Sequence, residues 1–172
     1  QEALRDIGHT VEGATRLANQ MLALAKVDQL RQQGEPPVRD WAELLRDVAL
    51  DLAPLVADKG LDFQLDAEPV PVRLHEWALR ELSRNLLHNA IKFSPPGAAL
   101  RIQLAPGQGR AVLRVLDEGP GLSDELRQRL FQPFAAGAPG GTGLGLAICR
   151  EIVQGAGGQI DSFGIEPQAF GT

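Results

Sequence analysis

The sequence predicts an α+β fold: a two-layer α/β sandwich in which helices cover one face of a mixed sheet, preceded by one long bundle helix. Three observations lead there. The N-terminal stretch carries a sustained apolar heptad. Downstream, short runs of period two alternate with longer runs of helical period, without the regular spacing of βαβ units. The chain has 172 residues, 44% hydrophobic and 23% charged, which is enough to bury one core. Its 19 glycines and 12 prolines are scattered, so collagen-like and low-complexity architectures are excluded.

Leu4, Ile7, Val11, Ala14, Ala18, Met21 and Ala25 follow one another at alternating steps of three and four, and Leu17, Leu22 and Leu24 widen that seam. A turn-rich segment, Gln32 to Pro37, follows instead of a return helix, so the seam's partners are expected upstream or in another copy. Gln1 falls inside the helix, which reads as a piece of a longer chain. Asp40 is placed to cap a helix from Trp41 to Ala57 with Leu44, Leu45, Val48, Leu52 and Leu55 on its apolar face, and Pro54 is expected to kink or shorten it. Leu61 to Leu65 alternates as a strand does, and Val70 to Leu74 reads as a second, short one. A long helix from Glu76 to Phe93 is stopped by Pro95-Pro96-Gly97. Leu100 to Leu104 and Ala111 to Leu116 form a hairpin around a Pro-Gly-Gln-Gly turn. A short helix around Ser123 to Leu130, a helix from Leu144 to Gly155 and a strand from Gln159 to Phe163 complete the reading.

The net charge of −5, with no Lys/Arg block, gives no reason to expect nucleic acid or an anionic membrane surface as partner. The single cysteine forms no intrachain disulfide, and no Cys/His cluster suggests zinc. No apolar run approaches the roughly 20 residues that span a bilayer, and no signal peptide is visible, so a soluble piece in a reducing compartment is expected.

Three segments carry chemistry. In Glu81-Leu-Ser-Arg-Asn85-Leu-Leu-His-Asn89-Ala-Ile-Lys92-Phe93, Asn85 and Asn89 stand at i and i+4 on one helix face. A buried amide asks for a partner, and a carboxamide oxygen is a good hard ligand for Mg²⁺, although both amides also suit hydrogen bonds to adjoining loops. Lys92 is within reach of a phosphate as a point charge. In Asp117-Glu118-Gly119-Pro120-Gly121, Asp117 ends a strand where it can accept a hydrogen bond from an exocyclic amine, while Gly119 and Gly121 let the backbone approach a ligand; alone, the pattern equally describes a tight turn. Gly140-Gly141-Thr142-Gly143-Leu144-Gly145-Leu146 opens a helix whose N-terminal amides and dipole attract an anion. It lacks the Gly-Lys-Ser/Thr ending of a P-loop and follows no strand, so neither the P-loop nor the dinucleotide fingerprint fits.

Taken in order, these segments resemble the ATP-binding domain of sensor histidine kinases, a branch of the superfamily that includes gyrase, MutL and the ninety-kilodalton heat-shock chaperones. The resemblance spans about Val38 to Phe163. It implies a Bergerat-type ATP-binding fold, with Glu81 to Phe93 similar to the N box, Asn89 matching its Mg²⁺ ligand, Lys92 a phosphate contact and Phe93 packing beside the nucleotide. Asp117, Gly119 and Gly121 match the G1 box and its adenine-recognising aspartate; Phe131 to Phe134 resembles the F box; and Gly141, Thr142, Gly143, Leu144 and Gly145 match the G2 box. Gly121 to Gly140 would be the ATP lid, with Arg127 or Arg129 replacing a basic residue that the family often places after its F box. The gyrase-like and chaperone-like ATPases carry a general-base glutamate four residues before the metal-binding asparagine. Here that residue is Asn85, which has no basic lone pair for water, so bound ATP is kept for another nucleophile.

The resemblance further implies a division into residues 1–31, the second helix of a dimerisation and phosphoacceptor hairpin; 32–37, a linker; and 38–172, an ATP-binding domain lacking its final strand, which would start near Gly171-Thr172. The implied activity is transfer of the γ-phosphoryl group of Mg-ATP to a histidine on the preceding hairpin helix, of the same or the partner subunit. A homodimeric parent, a downstream response regulator and a cytoplasmic domain on a parent anchored in the bacterial inner membrane belong to the same expectation. None of His9, His75 and His88 has the acceptor signature around it, and no role is assigned to Glu81. Cys149, Trp41 and Trp77 are read as packing residues. Two alternatives remain open at this level: a nucleotide-binding or dimerisation module without phosphotransfer, and a slow ATPase.

Overall fold

A sustained heptad favours a helix, and α1 (Glu2–Arg31) forms over it. The computed structural model describes residues 1–118, 125, 129, 132–133 and 144–158. The seam itself stays open to solvent: Leu4, Ile7, Val11 and Met21 are all more than half exposed. A different stripe docks on the rest of the chain, with Ala23 and Val27 buried and Leu17, Gln20, Leu24 and Leu30 half-buried. Leu17 and Leu24, which widen the seam in the sequence, belong to the docked side, while the heptad positions from Leu4 to Ala25 are exposed, so docking leaves the seam available.

β1 (Val38–Asp40) leads into α2 (Trp41–Asp58). The Asp40 carboxylate caps α2 by accepting the Ala42 N–H at 3.1 Å, and the same oxygen accepts the Val70 N–H at 3.1 Å. The Trp41 N–H donates to the Val70 carbonyl at 3.0 Å. These bonds hold β1 against β3 (Pro71–Arg73) as a two-stranded antiparallel ribbon. Three residues are too short for an alternation signal, and the sequence did not mark β1. Pro54 does not shorten α2, which runs through it to Asp58. Residues 50, 51, 53 and 54 are exposed, so the carbonyl of Leu50 that loses its intrahelical donor lies on the solvent side, where water serves instead.

The sheet is mixed. β2 (Asp62–Ala67) pairs in parallel with β4 (Ala99–Gly107), and β4 pairs antiparallel with β5 (Arg110–Asp117), in the order β2-β4-β5. The hairpin turn is tighter than the four residues expected: Gly107 pairs with Arg110, leaving only Gln108 (φ 53) and Gly109 (φ 73). Two positive φ values in a two-residue loop are what a twisted hairpin requires. Between β3 and β4 runs α3 (Glu76–Phe93), which matches the predicted helix, and α4 (Gly145–Gly155) follows β5 in the described chain.

Alternation along β4 explains the layering. Leu100, Ile102 and Leu104 are buried beneath the helices, while on the opposite face the Arg101 guanidinium donates to Gln64 Oε1 at 2.6 Å among exposed groups. Leu45 and Val48 of α2, Leu79 and Leu87 of α3, and Ile148 and Cys149 of α4 close the core. Helices therefore cover one face of the sheet, as the alternation predicted. Trp41 is buried with its Nε1–H donating to Ser83 Oγ at 2.9 Å, and the Ser83 hydroxyl donates to the Leu79 carbonyl at 2.8 Å. Burial pushes the Cys149 thiol up, so it stays protonated and acts as a packing group. The predicted strand from Gln159 to Phe163 lies outside the described residues. Of the predicted helix around Ser123 to Leu130, Glu125 and Arg129 are described, both helical and exposed, with a 3.7 Å ion pair. Residues 119–124, 126–128, 130–131 and 134–143, which include most of the segment expected to be the lid, are also outside the described residues.

Candidate functional site

α3 carries both asparagines, and the structure gives them different surroundings. Asn85 is anchored: its Nδ2 donates to the Glu81 carbonyl at 2.9 Å and lies 3.4 Å from the Glu81 carboxylate. Asn89, one turn later, is half-buried and its carboxamide makes no hydrogen bond among the described residues.

The first residue of α4 lies against this pair. A Cβ built on Gly145 would stand 3.0 Å from Asn85 Oδ1 and 3.8 Å from Asn89 Nδ2. A side chain there would oblige the Asn85 amide or α4 to give by a few tenths of an ångström. Leu144, at the N-cap, is buried and offers no side-chain acceptor, and the positive end of the α4 dipole therefore points into the neighbourhood of Asn85 and Asn89. Sequence reasoning placed these groups in one site, and the fold brings Asn85, Asn89, Leu144 and Gly145 together.

Lys92 and Phe93 occupy the last turn of α3. Lys92 is half-buried with its Nζ 5.6 Å from the Phe93 ring centroid, and Phe93 is 45% exposed, a large apolar side chain available to a ligand. Asp117 is exposed at the end of β5 opposite Leu100. Five residues separate Phe93 from the first residue of β4, so Asp117 lies at the sheet end into which α3 feeds. Next to it the Glu118 carboxylate accepts the Ala99 N–H at 2.9 Å and ties the strand ends together. Gly119, Gly121, Gly141, Thr142 and Gly143 lie outside the described residues.

A cleft of about 750 Å³ runs between α1 and α3, lined by Arg16, Lys26, Trp77, Glu81, Asn85 and His88 among others. The pKa of His88 is lowered, first by partial burial and then by the charges of Lys92, Arg84 and Arg16. α1 is fastened beside the cleft by Lys26, whose Nζ stands 4.6 Å above the Trp77 ring. The Arg31 guanidinium also donates to the Glu151 carbonyl at 2.5 Å and to its carboxylate at 3.1 Å. Trp77 packs as the sequence suggested, but this fastening was not legible, because it joins residues far apart in the chain.

Sequence reasoning also missed Lys59, the C-cap of α2. Its ammonium donates to the carbonyls of Ile91 at 2.8 Å, Lys92 at 2.6 Å and Ser94 at 2.9 Å. The only available hint was the pair of prolines that ends α3.

As for a metal, Asn89 offers one neutral, hard, half-buried oxygen. Such a donor set suits Mg²⁺ carried by a nucleotide, with phosphate and water filling the other positions, and the residues present fit that ion.

Comparison with known proteins places the chain in a family. Residues 74–169 match the family described as histidine kinase-, DNA gyrase B- and HSP90-like ATPase. The sensor protein kinase PmrB of Pseudomonas aeruginosa is 34% identical over 97% of this chain, which spans 37% of that protein's length. Among solved structures, the Acinetobacter baumannii histidine kinase AdeS superposes with a TM-score of 0.69 at 25% identity, covering 90% of this chain and 74% of that one. Full-length ShkA in complex with AMPPNP gives 0.71 at 28% identity, covering 91% and 33%.

Proposed function

Because this chain belongs to the histidine kinase-, DNA gyrase B- and HSP90-like ATPase family, as the ATP-binding domain of a histidine kinase, we propose that it binds Mg-ATP for transfer of the γ-phosphoryl group to a protein histidine. The observation that carries this reading is the approach of Gly145 to Asn85 and Asn89, which puts a helix N-terminus beside a carboxamide pair. ATP is the substrate. Asn89 holds the metal ion, and Lys92 with the turn from Gly141 to Gly145, including Thr142 and Leu144, holds the phosphates. Phe93 packs beside the nucleotide. Asp117 accepts the adenine amine, with Gly119 and Gly121 keeping the adjoining backbone close. Asn85 orients the site through its bonds to Glu81 and its contact with Gly145. When bound, Mg²⁺ supplies charge neutralisation on the phosphate oxygens.

The chain's own contribution is positioning. Phosphoryl transfer demands little covalent chemistry of the protein and depends on alignment and charge stabilisation. No carboxylate stands at residue 85 to take a proton from water, which favours transfer to a histidine over hydrolysis. The exposed seam of α1 supports assembly into a homodimeric hairpin bundle that presents the acceptor histidine of the same or the partner subunit. A response regulator then receives the phosphoryl group. Among the described residues no helix is long and apolar enough to cross a membrane; a parent anchored in the bacterial inner membrane is part of this proposal, which kinship with sensor kinases supports. Calorimetry of ATP with and without Mg²⁺ tests the binding step: metal-dependent affinity that Asn89→Ala removes is expected, and metal-independent affinity in both proteins would overturn the assignment.

A further inference from the structure

The end of α3 presents an unusual chemical problem. A helix leaves its last carbonyls without intrahelical donors. If α3 continued, the carbonyls of Ile91 and Lys92 would be served by the N–H groups of residues 95 and 96. Both are prolines and have none. Ser94 has already turned to extended backbone (φ −73, ψ 134), as a residue before proline prefers. Its N–H and hydroxyl both go to the Ala90 carbonyl, at 3.1 and 2.7 Å. No left-handed glycine closes the helix at that point.

Lys59 supplies what the prolines remove. Its three ammonium protons go to Ile91, Lys92 and Ser94 at 2.6–2.9 Å, and its own carbonyl accepts the Gly97 N–H at 2.9 Å. The ammonium also stands at the negative end of the α3 dipole. Side chain and backbone of one residue thus fix both the last turn of α3 and the connection that leads to β4. That last turn carries Lys92 and Phe93, one turn beyond Asn89.

We propose that Lys59 is a positioning residue of the nucleotide site: it caps the Pro-terminated helix so that Lys92 and Phe93 keep a fixed direction relative to Asn89. The proposal rests on the nucleotide-binding reading given above. Lys59→Met keeps the aliphatic stem and removes all three donors. ATP binding about tenfold weaker is expected, because charge-assisted hydrogen bonds no longer fix the phosphate-binding turn. Lys59→Arg, which retains donors and charge, is expected to recover most of that loss. In a Lys92→Ala background the effect of Lys59→Met should shrink, because residues acting through one another are not additive. Circular dichroism and calorimetry at a temperature where each variant is folded separate affinity from stability. Equal ATP affinity in wild type and Lys59→Met, or full additivity with Lys92→Ala, would overturn the proposal. Should Lys59→Met not fold, Lys59→Gln takes its place: it loses the charge and keeps two weaker donors on a shorter stem, so a smaller weakening in the same direction is expected, and unchanged affinity or full additivity would again overturn the proposal. If the wild-type chain itself bound no ATP, the nucleotide reading would fail, a result distinct from failure of the lysine cap.

Discussion

Replacing Gly145 with alanine sets two effects against each other. A methyl group there would stand 3.0 Å from Asn85 Oδ1, closer than carbon and oxygen normally rest. Asn85 cannot yield without strain, because its Nδ2 is bonded to the Glu81 carbonyl at 2.9 Å. Yielding by a few tenths of an ångström, or losing that bond, costs about 0.5–1.5 kcal/mol. Against this, alanine is favoured over glycine in a helix and in its entropy balance by about 0.4–1 kcal/mol. The net change in stability should therefore be under about 1 kcal/mol, or about 2–4 °C in Tm for a chain of this size. Nucleotide binding has no such compensation, since the start of α4 and the amide pair must separate, and a misplacement of that order weakens ATP binding about tenfold. Thermal melts and calorimetry on the same preparations test both halves. ATP affinity within twofold of wild type would refute the claim that this close approach builds the site, and a large drop in Tm would refute the balance.

Other substitutions probe separate parts of the account. Asp117→Asn should weaken ATP binding while sparing discrimination among mono-, di- and triphosphates, measured by competition; unchanged ATP affinity would remove the adenine role. Asp40→Ala deletes an acceptor for two backbone amides and should cost about 1–2 kcal/mol in urea unfolding, with little effect on the nucleotide. His88 has a lowered pKa, from burial first and then from Lys92, Arg84 and Arg16, so the unfolded chain binds a proton more readily than the folded one. The stability associated with this residue is present above the usual imidazole value of about 6.5 and is lost as pH falls from there through the lower value of the folded chain. His88→Gln should therefore flatten the decline in urea midpoint between about pH 7.5 and 5.5; an unaltered slope would show that another group titrates.

The parts of the fold that were legible are those encoded by local periodicity. α3 was readable from Glu76 to Phe93 because a long amphipathic run ends in two prolines, and β4 and β5 because alternation is interrupted by a Gly-rich turn. β1 was not, since three residues hold no period. The α1 seam was legible as an apolar stripe, and Leu17 and Leu24 were legible as its edge; that this edge docks together with Ala23 and Val27 was hidden, because the stronger heptad masks the side on which they meet the rest of the chain. At the site, residue types and order pointed to Asn85, Asn89 and Gly145. The division of labour between the asparagines depends on Glu81 and on the approach of α4, which only the folded chain reveals. Lys59 lay furthest from view. The missing donors at Pro95 and Pro96 are written in the sequence, but the ammonium that replaces them comes from the end of α2, a long-range contact without a local signature.

The most direct test of the central claim is transfer itself. The chain is incubated with Mg²⁺ and ATP labelled in the γ-phosphate, together with a separate helical hairpin carrying an acceptor histidine from a histidine kinase. Label should appear on the hairpin as an acid-labile phosphohistidine, with little free phosphate when the hairpin is omitted, and Asn89→Ala should abolish it. Rapid phosphate release without the hairpin, or no label on the hairpin from a chain that binds ATP, would contradict the account.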